Sequence, residues 1–162
     1  MTELPMMATK EIEIIDKLLT ERQPKYCLEL GSGISTLYFP REHETFIKYW
    51  RAIEHNGHWY KSLRLRLPDN ADILWTRDDS EETYFKEALL YKYDFVLIDG
   101  LDRLRAIKML PELLNKGGFA LLHDSGRKEY EEINKQGKIL IEGEEPYKGY
   151  YKHRGLTLFE NK

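Results

Sequence analysis

The sequence predicts an α/β fold: a doubly wound, mostly parallel sheet of about seven strands, with helices on both faces and an antiparallel strand pair at the C-terminus. Three observations predict it. Apolar residues alternate along the chain between helical spacing and short strand-like runs. One run, Tyr93-Asp94-Phe95-Val96-Leu97-Ile98, is apolar almost throughout, as a strand covered on both faces must be. Five runs end directly in glycine or polar residues, and in such sheets ligands sit at the carboxyl ends of the strands.

The elements follow in order. Thr9 can cap a helix to about Arg22, with Ile12, Ile15, Leu18 and Leu19 on one stripe and Lys10, Glu13, Lys17 and Glu21 facing away; Pro24 ends it. Tyr26 to Leu30 is a strand, followed by Gly31-Ser32-Gly33 and a helical turn from Ser35 to Phe39 that Pro40 should stop. Tyr49 to Ile53 is a strand ending at Glu54, His58 to Leu67 a helix stopped by Pro68, and Ala71 to Thr76 a third strand. Asp78 to Leu90 is helical with an acidic start that suits a helix dipole. The strand Tyr93 to Ile98 ends at Asp99-Gly100. Arg103 to Asn115 is a helix closed by Gly117-Gly118, and Phe119 to Leu122 a strand ending at His123-Asp124. Lys128 to Lys135 is a short helix. Ile139 to Glu142 and Leu156 to Glu160 are late strands with no helix between them.

Composition narrows the function classes. The chain has 162 residues, which argues for a single domain over 1–162: a helix within 1–24, a core over 25–130 and the strand pair within 131–162. Its 25 Lys+Arg stand against 28 Asp+Glu, a formal net charge of -3, so the basic excess of a non-specific nucleic-acid binder is missing. With one cysteine, Cys27, neither an intrachain disulfide nor a cysteine-rich metal cluster can form, and a reducing, cytoplasmic compartment fits best. No apolar run approaches the ~20 residues of a membrane span, and Met1 to Lys10 does not read as a signal peptide.

Chemistry concentrates at the five strand ends: Gly31-Ser32-Gly33, Glu54-His55, Asp78-Asp79, Asp99-Gly100 and His123-Asp124. Gly31-x-Gly33 lets the backbone turn tightly against a ligand. The third glycine of a dinucleotide fingerprint would fall at Thr36, which argues against a nicotinamide-dependent oxidoreductase, and no phosphate-binding Gly-Lys-Ser/Thr follows. Glu29, Ser35 and Thr36 are the hydrogen-bonding groups of the turn. Glu54 lies about 20 residues beyond it, where an acid can hold a ribose diol. Asp78 and Asp79 can accept from an exocyclic amine or cap the next helix.

Leu28-Glu29-Leu30-Gly31-Ser32-Gly33-Ile34-Ser35-Thr36 resembles motif I of the class I S-adenosylmethionine-dependent methyltransferases, in the form E-x-G-x-G-x-S-T. Ala52-Ile53-Glu54-His55 with Trp59-Tyr60 resembles that superfamily's second strand end, and Tyr93 to Ser125 its fourth and fifth strands. The resemblance covers about Tyr26 to Tyr130. It implies S-adenosylmethionine as cofactor, bound over the Gly31 to Gly33 turn. It puts Glu29 near the methionine amino group, Glu54 on the ribose hydroxyls, Asp78 or Asp79 at the adenine amine, and Asp99 beside the methionine end, facing substrate. The implied function is methyl transfer to an oxygen or nitrogen of a small or glycan-like molecule; a non-catalytic adenosyl-binding scaffold or sensor is the alternative.

Asp99 and Asp124 end adjacent strands and are the candidate catalytic acids, with His123 the other candidate base. Strand alternation makes Asp124 and His123 exclusive, and Asp124 is preferred. The two acids can also hold a divalent cation. The metal-dependent O-methyltransferases they resemble place an Asn where Ser125 stands and a Lys where Asp102 or Arg103 stands, so no metal is assigned. Arg103, Arg105 and Arg127 suit an acidic substrate or ion pairs with Asp102 and Glu129. The aromatic, basic segment Glu144 to Arg154 reads as a lid over the substrate pocket or as a packed hairpin connection. The Asn/Asp-Pro-Pro-aromatic tetrapeptide of base-amino methyltransferases is missing, which argues further against a nucleic-acid substrate. With no inserted cap domain, the pocket is either open to a large substrate or covered by a second subunit, which leaves a homodimer open.

Overall fold

A computed structural model describes residues 3–77, 81–143 and 155–162. The strands are β1 (Tyr26–Leu30), β2 (Tyr49–Glu54), β3 (Ala71–Trp75), β4 (Tyr93–Ile98), β5 (Leu114–His123), β6 (Lys138–Ile141) and β7 (Leu156–Glu160). The helices are α1 (Thr9–Arg22), α2 (Ser35–Glu42), α3 (Gly57–Leu63), α4 (Glu81–Ala88), α5 (Arg103–Lys108), α6 (Leu110–Leu113) and α7 (Glu131–Asn134). The seven strands form one sheet in the order β3-β2-β1-β4-β5-β7-β6. β1 to β5 run parallel, and β7 lies antiparallel between β5 and β6. Strand order reverses between β1 and β4, where the two crossover halves diverge and leave a crevice at the strand ends.

Period-two alternation in β4 builds both cores at once. Phe95 and Leu97 pack with Ile12, Ile15 and Leu19 of α1 and with Trp50. Val96 and Ile98 pack on the opposite face with Phe85 of α4, Ile107 of α5 and Leu113 of α6. All four β4 side chains are fully buried, which accounts for the unbroken apolar reading of this strand.

Several boundaries differ from the sequence reading, among them the end of α3 at Leu63 instead of Leu67 and the short helix after β5, which is a 3-10 turn (Lys128–Tyr130) followed by α7. α2 continues past Pro40 to Glu42, because a proline removes one helical hydrogen bond without forbidding the turn after it. The helix expected from Arg103 to Asn115 is split at Met109, where Pro111 opens the four-residue α6. β5 begins at Leu114, so Gly117-Gly118 lies inside the strand, at an irregularity opposite Tyr93 to Phe95. α1 starts after Ala8 and not with Thr9 as its cap; the Glu11 carboxylate reaches back to accept the Ala8 N–H at 2.9 Å. Among the described residues no helix is long and apolar enough to cross a membrane.

Candidate functional site

The crevice between β1 and β4 is built on a glycine contact. Gly31 has φ +95°, and a Cβ there would lie 2.9 Å from the Asp99 carbonyl and the Gly100 Cα. The turn after β1 therefore rests directly on the turn after β4. Gly100 is equally constrained: a Cβ would come 2.3 Å from the Tyr84 hydroxyl and 2.7 Å from the Gly31 nitrogen. Tyr84 of α4 is fully buried under this junction. Burial, with the Glu54 and Glu29 charges nearby, drives its phenol well above the ordinary range. Tyr84 was not singled out in the sequence, where it is one aromatic on the apolar face of a helix.

Glu29 is almost wholly buried beneath the glycine turn. Its buried carboxylate accepts from Ser35 Oγ at 2.5 Å, Thr36 Oγ1 at 2.7 Å and Trp50 Nε1 at 2.8 Å. It ties the turn and the start of α2 to β2 from beneath. Burial raises its pKa to about 7 against the three hydrogen bonds that favour the anion.

Glu54 is also buried, but it ends at the crevice. One oxygen accepts the Ser32 N–H at 2.8 Å and the Ser32 hydroxyl at 2.6 Å; the other accepts the Asn56 N–H at 2.6 Å. His55 Nδ1 lies 3.1 Å from that second oxygen. A cavity of about 200 Å³, lined by the run Ser32 to Ser35 together with Met6, Met7, Trp59 and Asp99, meets Glu54 through its partner Ser32. Asp78 and Asp79 lie outside the described residues, as does the segment Glu144 to Arg154.

Asp99, His123 and Asp124 do come together: one ligand atom from each lies within 4.8 Å of the others. Asp124 has φ +56°, which breaks strand alternation and brings its carboxylate to 3.8 Å from His123 Nδ1, and neither residue lines the cavity. His123 bridges two acids, with Nδ1 3.0 Å from Asp99 Oδ1 and Nε2 3.2 Å from Glu11 Oε2. Burial disfavours its charge, but the hydrogen bonds to Asp99 and Glu11 and the Asp124 charge overcome this and raise its pKa to about 10. So raised, the ring favours the imidazolium form at neutral pH. Asp124 is pushed up by burial and down by His123, Arg127 and Arg103, with a net lowering. Its Oδ2 lies 2.6 Å from Arg127.

Of the readings for the arginines, the structure shows ion pairs, chiefly with the neighbouring Asp99 and Asp124. Arg103 donates to the carbonyls of His123 at 2.6 Å and of Asp99 and Gly100 at 3.3 Å each. It also lies 2.9 Å from Asp99 Oδ1 and 3.7 Å from Asp124 Oδ2. Arg105 stacks over Phe85 and approaches Glu82, while Asp102 caps α5 by accepting the Arg105 N–H at 3.1 Å. Asp99 and Asp124 are each paired with a guanidinium group, and a cation placed among them and His123 would have to compete with Arg103 and Arg127.

No protein-family model and no curated protein sequence matches the chain. Solved structures match it over nearly its whole length. A putative caffeoyl-CoA O-methyltransferase from Staphylococcus aureus superimposes with a TM-score of 0.74 at 15% identity, covering 98% of this chain and 86% of that one. A methyltransferase-like protein from Silicibacter pomeroyi gives 0.64 at 17% identity, covering 98% and 89%. The N-methyltransferase NodS from Bradyrhizobium japonicum, in complex with S-adenosylhomocysteine, gives 0.59 at 13% identity, covering 94% and 85%. The fold is the Rossmann-like fold of class I S-adenosylmethionine-dependent methyltransferases.

Proposed function

We propose that the chain is a single-domain S-adenosylmethionine-dependent methyltransferase acting on an oxygen or nitrogen of a small-molecule or glycan-like acceptor. One observation carries the reading: the glycine turn and Glu54 are locked together at the strand-order reversal, and that turn lines one cavity with Asp99. Glu54 then takes the ribose hydroxyls, with His55 beside it. The backbone from Gly31 to Gly33 supports the chain between ribose and methionine. Glu29 is sealed by three donors, so the cofactor's ammonium falls to Asp99. Asp99 meets both Arg103 and His123 through Oδ1 and is 30% exposed onto the cavity.

Transfer is an in-line displacement. The acceptor's lone pair bonds to the methyl carbon, the sulfur–methyl bond breaks with its electron pair going to sulfur, and the acceptor's proton passes to solvent water. With His123 charged and Asp124 held low, the cluster orients more than it deprotonates. A buried Cys27 and the near-balanced charge fit a cytoplasmic protein with a small-molecule partner.

Parallel calorimetric titration with S-adenosylmethionine, S-adenosylhomocysteine and NAD tests the reading. Saturable binding of the two adenosyl compounds alone is expected. Binding of none, or a preference for NAD, would overturn it. Release of S-adenosylhomocysteine in an acceptor screen then separates an enzyme from a binding module.

A further inference from the structure

We infer that Glu11, on α1 and outside every strand-end motif, is a positioning residue for Asp99 that acts through the His123 imidazolium. The inference rests on the cofactor reading above and adds a residue that neither the motifs nor the resemblance assigns.

Glu11 is 1% exposed on a helix face otherwise given to Ile12, Ile15 and Leu19, while its charged neighbours Lys10 and Glu13 point to solvent. A carboxylate in that position is costly unless paired. Capping the Ala8 N–H accounts for part of its placement and needs no burial. The rest is explained by His123, which lies across the fold, 112 positions away in sequence. An imidazole with a carboxylate at each nitrogen satisfies both only when doubly protonated. Glu11 therefore fixes the protonation state and the plane of the ring, and the ring fixes Asp99 Oδ1 at 3.0 Å. Arg103 holds the same oxygen at 2.9 Å. Gripped twice on one oxygen, Asp99 is held in place where it lines the cavity.

Glu11→Gln separates this role from capping. Glutamine also closes a capping box, so α1 keeps its start and Met6 and Met7 keep their places at the cavity. The probes are S-adenosylhomocysteine and the same molecule without its α-amino group, titrated calorimetrically. The wild type should prefer the first by about tenfold, the scale of one charge-assisted hydrogen bond. Glu11→Gln should weaken the first about fivefold and change the second by less than about twofold. The His123 ring, followed by NMR titration, should lose at least about one pKa unit.

Equal weakening of both ligands, no weakening, or an unmoved His123 titration would overturn the inference. A wild type that binds both ligands alike would remove Asp99 from the ammonium. A wild type that binds neither would overturn the cofactor reading, and the inference with it. Should Glu11→Gln fail to fold, His123→Gln, whose amide reaches the same carboxylates uncharged, should show the same selective loss; an unchanged preference there overturns the inference equally.

Discussion

Ser32 gives both its backbone N–H and its hydroxyl to a single oxygen of Glu54, at 2.8 and 2.6 Å. The acid at the end of β2 is thereby oriented before any ligand arrives, and the turn after β1 is fastened to it. Hydrogen bonds to a charged acceptor contribute about 1.5–3 kcal/mol. Glu54→Gln should therefore weaken adenosyl ligands by about 10- to 100-fold in calorimetry. The loss should be the same for S-adenosylhomocysteine and for adenosine, because the ribose is common to both. Ser32→Ala keeps the backbone bond and should cost about tenfold or less. Unchanged adenosine affinity in Glu54→Gln would remove the ribose role.

The contact between the two glycine turns makes a second prediction. Gly31→Ala meets strain at φ +95° and a backbone collision at 2.9 Å. Strain and overpacking each cost about 1–3 kcal/mol. A fall in urea-unfolding stability of about 2–5 kcal/mol should follow. Gly100→Ala should be as damaging, and Tyr84→Phe should not rescue it, because the Gly31 nitrogen and the Leu30 carbonyl carbon block the same space at 2.7 and 2.8 Å. Rescue by Tyr84→Phe would show that the hydroxyl alone sets the limit.

Much of this fold is legible in the chain because β4 and the five strand ends carry short-range signals. Alternation, glycine and terminal acids need no partner to be recognised, and they lead directly to Gly31, Glu54 and Asp99. What escapes depends on tertiary partners. The anchoring of Glu29 is one case, since nothing local reveals that Trp50, on the next strand, reaches it at 2.8 Å. Glu11 reads as a first-turn helix acid because its partner His123 is remote in sequence. The left-handed turn at Asp124 defeats the alternation argument, since φ +56° at a non-glycine residue carries no sequence mark.

Glu29 makes the third prediction. Its pKa rises from 4.5 unfolded to about 7 folded, so the native state binds more protons between those values. The stability it contributes is complete below pH 4.5 and is lost as pH rises through about 7. Glu29→Gln should fold and flatten that part of the stability–pH curve, because the amide keeps an acceptor and the two hydroxyls can reorient. Glu29→Ala leaves the Trp50 N–H unpaired and opens a gap, and should cost about 3 kcal/mol in urea unfolding. Cofactor affinity should change little in Glu29→Gln. A large loss of affinity with stability intact would restore Glu29 to the ligand.

His123 extends the argument to alkaline pH. Three acids face it: Glu11 from α1, Asp99 from the end of β4 and Asp124 from the turn after β5. Its pKa rises from 6.5 unfolded to about 10 folded. The corresponding stability is fully present below pH 6.5 and disappears as pH passes through about 10. Urea unfolding of the wild type should therefore weaken by a few kcal/mol between neutrality and pH 10. His123→Gln should start less stable at pH 7 and decline less over the same interval. Tyrosine and lysine titrations are common to both proteins and drop out of the comparison. Parallel decline in the two would show that His123 is neutral in the native state, and the charge pairing of Glu11, Asp99 and Asp124 with the ring would go with it.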